Sequence, residues 1–413
     1  MNATTRPAAI RLTDLADPTY PAAAQPIRDG LAAYGQTLEL DPETLLAAAR
    51  DRTDLDDFGD PSFRPRLDVL CRSLREQADL SGVGTALAFE QLVGHLVNRL
   101  RFEALWNAHP ELADVPVERP IIIAGLPRTG TTHLHNLIAA DPALRHLPYW
   151  ESLEPFPSQG EDDQARRDRC AAGLDIVNTA MPEFKRMHEM TVDHAHEEIQ
   201  LLGNDLSTML FETTFFIPDY AAHYKADDQV APYAYLKRQL QTLQWLRGGT
   251  RWVLKSPQHL ERFPALLATF PDATFVVTHR DPVEVIQSMA TMVCYSARMN
   301  CERPDPVTIS RYWFERGAEL LDGCLRDRDV LPAEQSIDVR FEDFMADEQA
   351  TVAAIYALAD QPYDERARTA MARFCVEHPR GRHGGVVYEP RDLGLDPDEI
   401  AERLGAYRAR FVD

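Results

Sequence analysis

The residues best suited to chemistry are gathered in Gly125-Leu-Pro-Arg-Thr-Gly-Thr-Thr132, between the apolar run Ile121-Ile-Ile-Ala124 and the apolar helical pattern of Leu134, Leu137 and Ile138. A buried strand, a glycine loop and a helix start in that order make an anion cradle, because glycine lets backbone N–H groups approach phosphate oxygens and the helix dipole adds partial positive charge. Arg128 supplies a cation inside the loop, and the hydroxyls of Thr129, Thr131 and Thr132 supply further donors. A tight turn alone asks for one glycine, not for an arginine among three threonines. The glycine spacing matches the GxxxxGK[ST] loop of nucleoside triphosphatases, but Thr131 stands where the phosphate-gripping lysine belongs. The later strand in Thr274-Phe-Val-Val-Thr-His-Arg-Asp281 is followed by His279 and Arg280 before any carboxylate, so no strand-end acid is placed for magnesium. A magnesium-dependent small-molecule kinase is disfavoured on both counts.

A second anion site is expected where that later strand ends. Asp281 caps a helix, Pro282 opens it and Glu284 completes a capping box, which puts Arg280 beside a helix start and Ser288 two turns on. Together these motifs resemble the sulfotransferases that use 3′-phosphoadenosine 5′-phosphosulfate (PAPS). Leu126-Pro-Arg-Thr-Gly-Thr-Thr-His133 is similar to their PKSGTTW loop for the 5′-phosphosulfate, with Arg128 in place of lysine and His133 in place of an adenine-stacking tryptophan. The resemblance implies cofactor contacts from Pro127, Arg128, Thr129, Gly130, Thr131, Thr132 and His133, and a grip on the 3′-phosphate by Arg280 and Ser288, eight residues apart. Val339-Arg-Phe-Glu-Asp-Phe344 resembles the family's YEDL segment, and His378-Pro-Arg-Gly-Arg-His-Gly384 its C-terminal RKG loop, which adds Arg380, Arg382 and Gly384 to the implied contacts.

Sulfuryl transfer, like phosphoryl transfer, asks the protein mainly to position reactants and to stabilise charge on the leaving phosphate. Arg128 is the first catalytic cation expected, and Lys255, leaving a strand at the sheet's carboxyl edge, is the second. The acceptor is expected to be a hydroxyl of a small-molecule or lipid-like compound, apolar or aromatic, whose proton goes to an imidazole or carboxylate. His259, in a helix that Ser256 caps and Pro257 opens, is one such base; it stands four residues after Lys255, where some relatives keep a histidine two after the lysine. Glu198 is the other, in His194-Ala-His196-Glu197-Glu198, a segment where bacterial relatives often carry an acid. That segment is otherwise a polar face starting a buried helix, or half a metal site lacking recognisable third and fourth ligands, and no metal is expected. Trp150, Phe156, Phe215, Phe216, Tyr220, Tyr224, Tyr233 and Tyr235 are either acceptor-pocket lining or helical core.

These residues require an α/β frame. Residues 27–114 show helical periodicity, with Asp41 and Pro42 opening one helix and Leu67, Leu70, Cys71 and Leu74 on the face of another. Apolar β-branched runs begin at Val117–Ile123 and recur at Trp252–Leu254, Thr274–Thr278 and Ile337–Phe341, separated by helical stretches. The expected fold is a P-loop nucleotide-kinase-like parallel sheet flanked by helices, with a helical domain over residues 1–116 and a PAPS-dependent sulfotransferase domain over 117–413. Roughly a hundred residues between the first two strands exceed any crossover, so a helical insertion over about 145–250 is expected to cover the acceptor. Near the end, Asp396 and Glu399 are expected to form a capping box on one helix carrying Ile400, Leu404, Tyr407 and Phe411.

The 413 residues are 45% hydrophobic and 26% charged, an ordinary globular composition, with a net charge of −22 that repels nucleic acid. An anionic ligand must therefore find a local basic pocket. Six scattered cysteines form no zinc or disulfide framework, the N-terminus lacks an apolar signal core, and no window offers about 20 apolar residues for a membrane span; a cytoplasmic protein is expected.

Overall fold

The computed structural model of the chain describes residues 7–158 and 160–413. The first six residues of the N-terminal stretch expected to lack a signal core lie outside the described residues. Strands β1 (Ile10–Arg11) and β6 (Val386–Val387) pair in parallel, far apart in sequence. The main sheet contains β2 (Ile121–Ala124), β3 (Val253–Lys255), β4 (Thr274–His279) and β5 (Ser336–Arg340), in the order β3-β2-β4-β5 and parallel throughout.

β2 is buried along its whole length, and its pleat divides its residues between two cores. Ile121 and Ile123 join Val253, Val276, Leu134 and Ile138 on one face. Ile122 and Ala124 join Leu254, Phe275, Val277 and Phe314 on the other. That is why the run is continuously apolar rather than alternating.

Helices α1 (Gln25–Gly35), α2 (Pro42–Thr53), α3 (Arg64–Glu76) and α4 (Gly82–Ala108) precede the sheet. Asp41 caps α2 through the N–H groups of Glu43 and Thr44, and Leu67, Leu70, Cys71 and Leu74 are all buried on α3. The change from helix to sheet falls near residue 116, but the core does not divide there. Leu70, Leu92 and Leu96 share one apolar cluster with Leu206, Phe211, Phe215, Ile217 and Tyr220 of the 145–250 segment.

Three capping expectations are corrected. Asp281 accepts from Val283 N–H, but the Glu284 carboxylate turns to the Arg280 guanidinium, a charge-assisted bond that outcompetes a backbone amide. Asp396 accepts from Asp398 N–H while Glu399 pairs with Arg311 at 2.6 Å. The C-terminal stretch is two helices, Pro397–Arg403 and Gly405–Phe411, with Leu404 non-helical between them. The break accompanies the stacking of Phe411 on His279, with ring centroids 4.3 Å apart. Ser256 makes no capping bond; its hydroxyl is buried without a partner before the 3-10 turn Pro257–Glu261. Among the described residues no helix is long and apolar enough to cross a membrane.

Candidate active site

β2 ends at Ala124 and α5 (Thr131–Ala139) begins after Gly130, so the intervening loop lies across the carboxyl edge of the sheet. Gly125 touches β4 so closely that a Cβ there would meet Thr278 Oγ1 at 1.9 Å. Gly130 takes a left-handed φ of 84°, and so does Arg128, at 74°, a conformation uncommon for a residue with a side chain.

Arg128 and Arg280 interlock. Arg280 Nη1 donates to the Arg128 carbonyl at 2.9 Å, while Arg128 Nε donates to Ser288 Oγ at 2.9 Å and its Nη1 to the Met187 carbonyl. The Ser288 hydroxyl in turn donates to the Tyr388 oxygen at 2.8 Å. Arg280 lies 4.1 Å over the Phe341 ring, and its Nε is buried with no hydrogen-bond partner. Thr129 differs from expectation: its hydroxyl donates to the Leu126 carbonyl and meets Thr278 Oγ1, both at 2.7 Å, so it braces the loop from behind.

Around the start of α5, His133 sits in an aromatic niche with Phe344 and Phe374, at ring distances of 5.7 and 6.1 Å. Burial lowers the pKa of His133 despite Glu348, whose Oε1 lies 3.1 Å from its Nε2. Arg380 also pairs with Glu348 at 3.1 Å, and Arg382 pairs with Glu189. His133, Glu348 and Cys375 bring three ligating atoms within 4.8 Å, but Arg380 already provides the positive charge beside Glu348. Pro127, Arg128, Gly130, Thr131, Thr132 and His133 all line one cavity of about 1780 Å³, together with Arg280, Arg380, Arg382 and Gly384. Ser288 stands behind Arg128 instead.

The same cavity runs on between the N-terminal helices and the 145–250 segment, where Leu87, Val177, Met181, Phe184, Met292 and Met299 line it. Lys255 and Glu197 also line it, joined as an ion pair, with Lys255 Nζ 3.5 Å from Thr132 Oγ1.

A family model described as "Sulfotransferase family" matches residues 120–365. The chain belongs to the sulfotransferase family. The omega-hydroxy-beta-dihydromenaquinone-9 sulfotransferases Stf3 of Mycobacterium bovis and Mycobacterium tuberculosis are each 25% identical to it over 259 residues, 59% of this chain. That match spans 63% of the curated relatives' length, less than two thirds. Among solved structures, sulfotransferase STF1 from Mycobacterium tuberculosis is 30% identical with a TM-score of 0.77, covering 87% of this chain and 97% of its own. Sulfotransferase STF9 from Mycobacterium avium is 25% identical with a TM-score of 0.80, covering 90% of this chain and 96% of its own.

The two residues expected as bases lie together, away from the cavity. Glu198 Oε1 accepts from His259 Nε2 at 2.5 Å, and both side chains are about 1% exposed. Neither lines the cavity. Glu198 is drawn inward because Oε2 also accepts the Lys255 backbone N–H at 2.8 Å, and His259 Nδ1 meets the Tyr233 hydroxyl at 2.7 Å. The neighbouring Glu197 does line the cavity, as do Glu189 and Asp193.

His194 and His196 line the cavity too, with His194 Nε2 3.1 Å from His196 Nδ1 and His196 4.5 Å from the Tyr149 ring. Burial pushes His194 down to about 4 and His188 to about 3, the Lys255 charge adding to the effect, so these imidazoles are neutral. Asn136 fixes the segment by accepting the Ala195 N–H at 2.9 Å. Trp150, Phe156, Phe215, Tyr220, Tyr224 and Tyr233 are buried in apolar clusters; none of them, nor Phe216 or Tyr235, lines the cavity. Apolar periodicity marks such residues as buried but does not separate a core from a pocket wall.

Proposed function

We propose that this sulfotransferase moves the sulfuryl group of PAPS, in line and without metal, to the hydroxyl of an apolar or aromatic small-molecule acceptor of lipid-like character. The carrying observation is one cavity lined both by Arg128, Arg280 and the start of α5 and by an apolar gallery of methionine, leucine and phenylalanine, with the Lys255–Glu197 pair on its wall beside Thr132.

The residues fit the donor. Arg280 Nε is a buried N–H donor without a partner, and the loop hydroxyls of Thr131 and Thr132 stand at the N-terminus of α5. Arg280 and Arg128, with Ser288 behind, would hold the 3′-phosphate; the N–H groups around Gly130 to Thr132 would hold the 5′-phosphosulfate. His133 with Phe344 and Phe374 offers an aromatic face for the adenine, and Arg380, Arg382 and Gly384 close that side. When bound, PAPS supplies an activated sulfuryl group and a phosphate leaving group.

The chain's own part is charge and proton placement. The Lys255 side chain stands beside Thr132, from which it would stabilise charge developing on the leaving phosphate of the bound donor. As its ammonium is drawn there it leaves Glu197, whose free carboxylate takes the acceptor's proton. The gallery excludes water and aligns an apolar acceptor. The curated relatives are named for a hydroxyl acceptor, omega-hydroxy-beta-dihydromenaquinone-9, which supports this class. Six unpaired cysteines support a reducing, cytoplasmic setting.

The test is release of adenosine 3′,5′-bisphosphate and appearance of sulfated product from labelled PAPS with farnesol, hexadecanol or 2-naphthol in excess EDTA. Turnover in EDTA, lost in Glu197→Gln by about 10² to 10⁴ in kcat, is expected. Turnover that requires added magnesium, or consumption of ATP in place of PAPS, would overturn the reading.

A further inference from the structure

The buried side chains Tyr233, His259 and Glu198 form a hydrogen-bonded row that ends on the backbone of the residue carrying the catalytic ammonium. Burial holds the Tyr233 hydroxyl well above the usual phenol range, so it is a donor, and it points at His259 Nδ1 at 2.7 Å. His259 Nε2 donates to Glu198 Oε1 at 2.5 Å, and Glu198 Oε2 accepts the Lys255 N–H at 2.8 Å. β3 is the edge strand of the sheet, and its N–H groups at Val253 and Lys255 point away from β2. Val253 donates to the Arg145 carbonyl at 2.8 Å; Lys255, at the end of the edge, has only Glu198.

Glu198 is also joined by one peptide unit to Glu197. A single buried carboxylate thus ties the main chain bearing Glu197 to the main chain bearing Lys255. We infer that Tyr233, His259 and Glu198 are positioning residues that hold the Glu197–Lys255 pair at the transfer point, without exchanging protons with the acceptor. The inference rests on the assignment of Glu197 and Lys255 to catalysis, and a glutamine at 198 separates it from a role as base. The amide oxygen can accept from Lys255 N–H and its NH₂ can donate to His259 Nε2, with Nδ1–H then turned to the Tyr233 oxygen. The row survives with its polarity reversed.

The experiment compares Glu198→Ala, Glu198→Gln, Tyr233→Phe and Glu197→Gln in the full chain. It follows adenosine 3′,5′-bisphosphate release from PAPS with farnesol, 2-naphthol or water as acceptor, and binding of adenosine 3′,5′-bisphosphate by calorimetry. It also follows imidazole N–H signals by NMR of histidine-labelled protein. Glu198→Ala should lose tenfold or more in kcat, bind the nucleotide within about threefold of wild type, and lose an exchange-protected imidazole N–H signal. Glu198→Gln should regain most of that kcat and keep a protected signal; Tyr233→Phe should fall a few-fold and shift it. Equal collapse of Glu198→Gln and Glu198→Ala, with loss of the acidic limb of the pH–rate profile, would make Glu198 the base and overturn the inference. Wild-type kcat in Glu198→Ala would overturn it also, and if that variant does not fold, wild-type kcat in Tyr233→Phe decides the same way. Full turnover by Glu197→Gln alongside the expected Glu198 pattern would sink only the assignment of Glu197, leaving positioning through Lys255.

Discussion

Arg280 is surrounded by carboxylate, carbonyl and ring, yet one of its N–H groups is left over in a buried place, and an unpaired buried donor is costly unless a ligand meets it. If that ligand is the 3′-phosphate, Arg280→Ala should lose about 1.5 to 3 kcal/mol of binding, roughly ten- to over a hundredfold. Calorimetry of adenosine 3′,5′-bisphosphate against 5′-AMP checks this, since only the first carries the 3′-group; an unchanged preference would reject the assignment. At this scale the residues proposed to hold the anion were legible as one cluster because their neighbours in sequence are also their neighbours in space: a strand end, a glycine and a helix start. The choice between Glu197 and Glu198 was not. Adjacent carboxylates look alike in a sequence, and which one turns inward is decided by Lys255 N–H and His259, some sixty residues on. Tyr388, held to Ser288 across 100 positions, left no local mark either.

Among the elements, β2 and β4 were legible from apolar β-branched runs because both faces of a parallel strand are buried. β1 and β6, two residues each, carry no period to detect, and the C-terminal helix break falls at Leu404-Gly405, where the continuous apolar spacing hides the one local signal, a glycine. The loop from β2 to α5 is held by the Thr129–Thr278 and Arg280–Arg128 bonds, and it approaches β4 most closely at the bare face of Gly125 against Thr278. Gly125→Ala should therefore push the loop off β4, lowering the melting temperature and abolishing nucleotide binding, as overpacking costs about 1 to 3 kcal/mol. Thr278→Ala in the same chain removes the oxygen at 1.9 Å and should recover part of the melting temperature. A Gly125→Ala protein that binds adenosine 3′,5′-bisphosphate like wild type would show that the close approach is not needed.

The whole molecule carries a net charge of −22, and burial lowers the pKa of several of its histidines, His95, His146, His188 and His194 among them. His95 shows the consequence most simply, because it lies outside the anion site, where α4 meets the 145–250 segment. Its Nδ1 bonds Asn204 Oδ1 at 2.9 Å, its ring stands edge-on to Phe211, and a Cβ on Gly203 would strike it at 2.4 Å. Burial, only partly opposed by the Asn204 bond, pushes its pKa from 6.5 down to about 4. Between those values the unfolded chain binds a proton that the folded chain does not, so this contribution to stability is full above pH 6.5 and is lost as pH falls toward 4. His146 and His194, also pushed to about 4 by burial, act in the same direction. The melting temperature should thus fall on going from pH 7.5 to 5.5 without ligand. His95→Asn, though less stable at neutral pH, should show a shallower fall, by up to about 1.4 kcal/mol per pH unit for the one proton removed. Parallel pH profiles for the two proteins would mean that His95 keeps the same protonation folded and unfolded, and that the other buried imidazoles, His146 and His194, account for the acid loss instead.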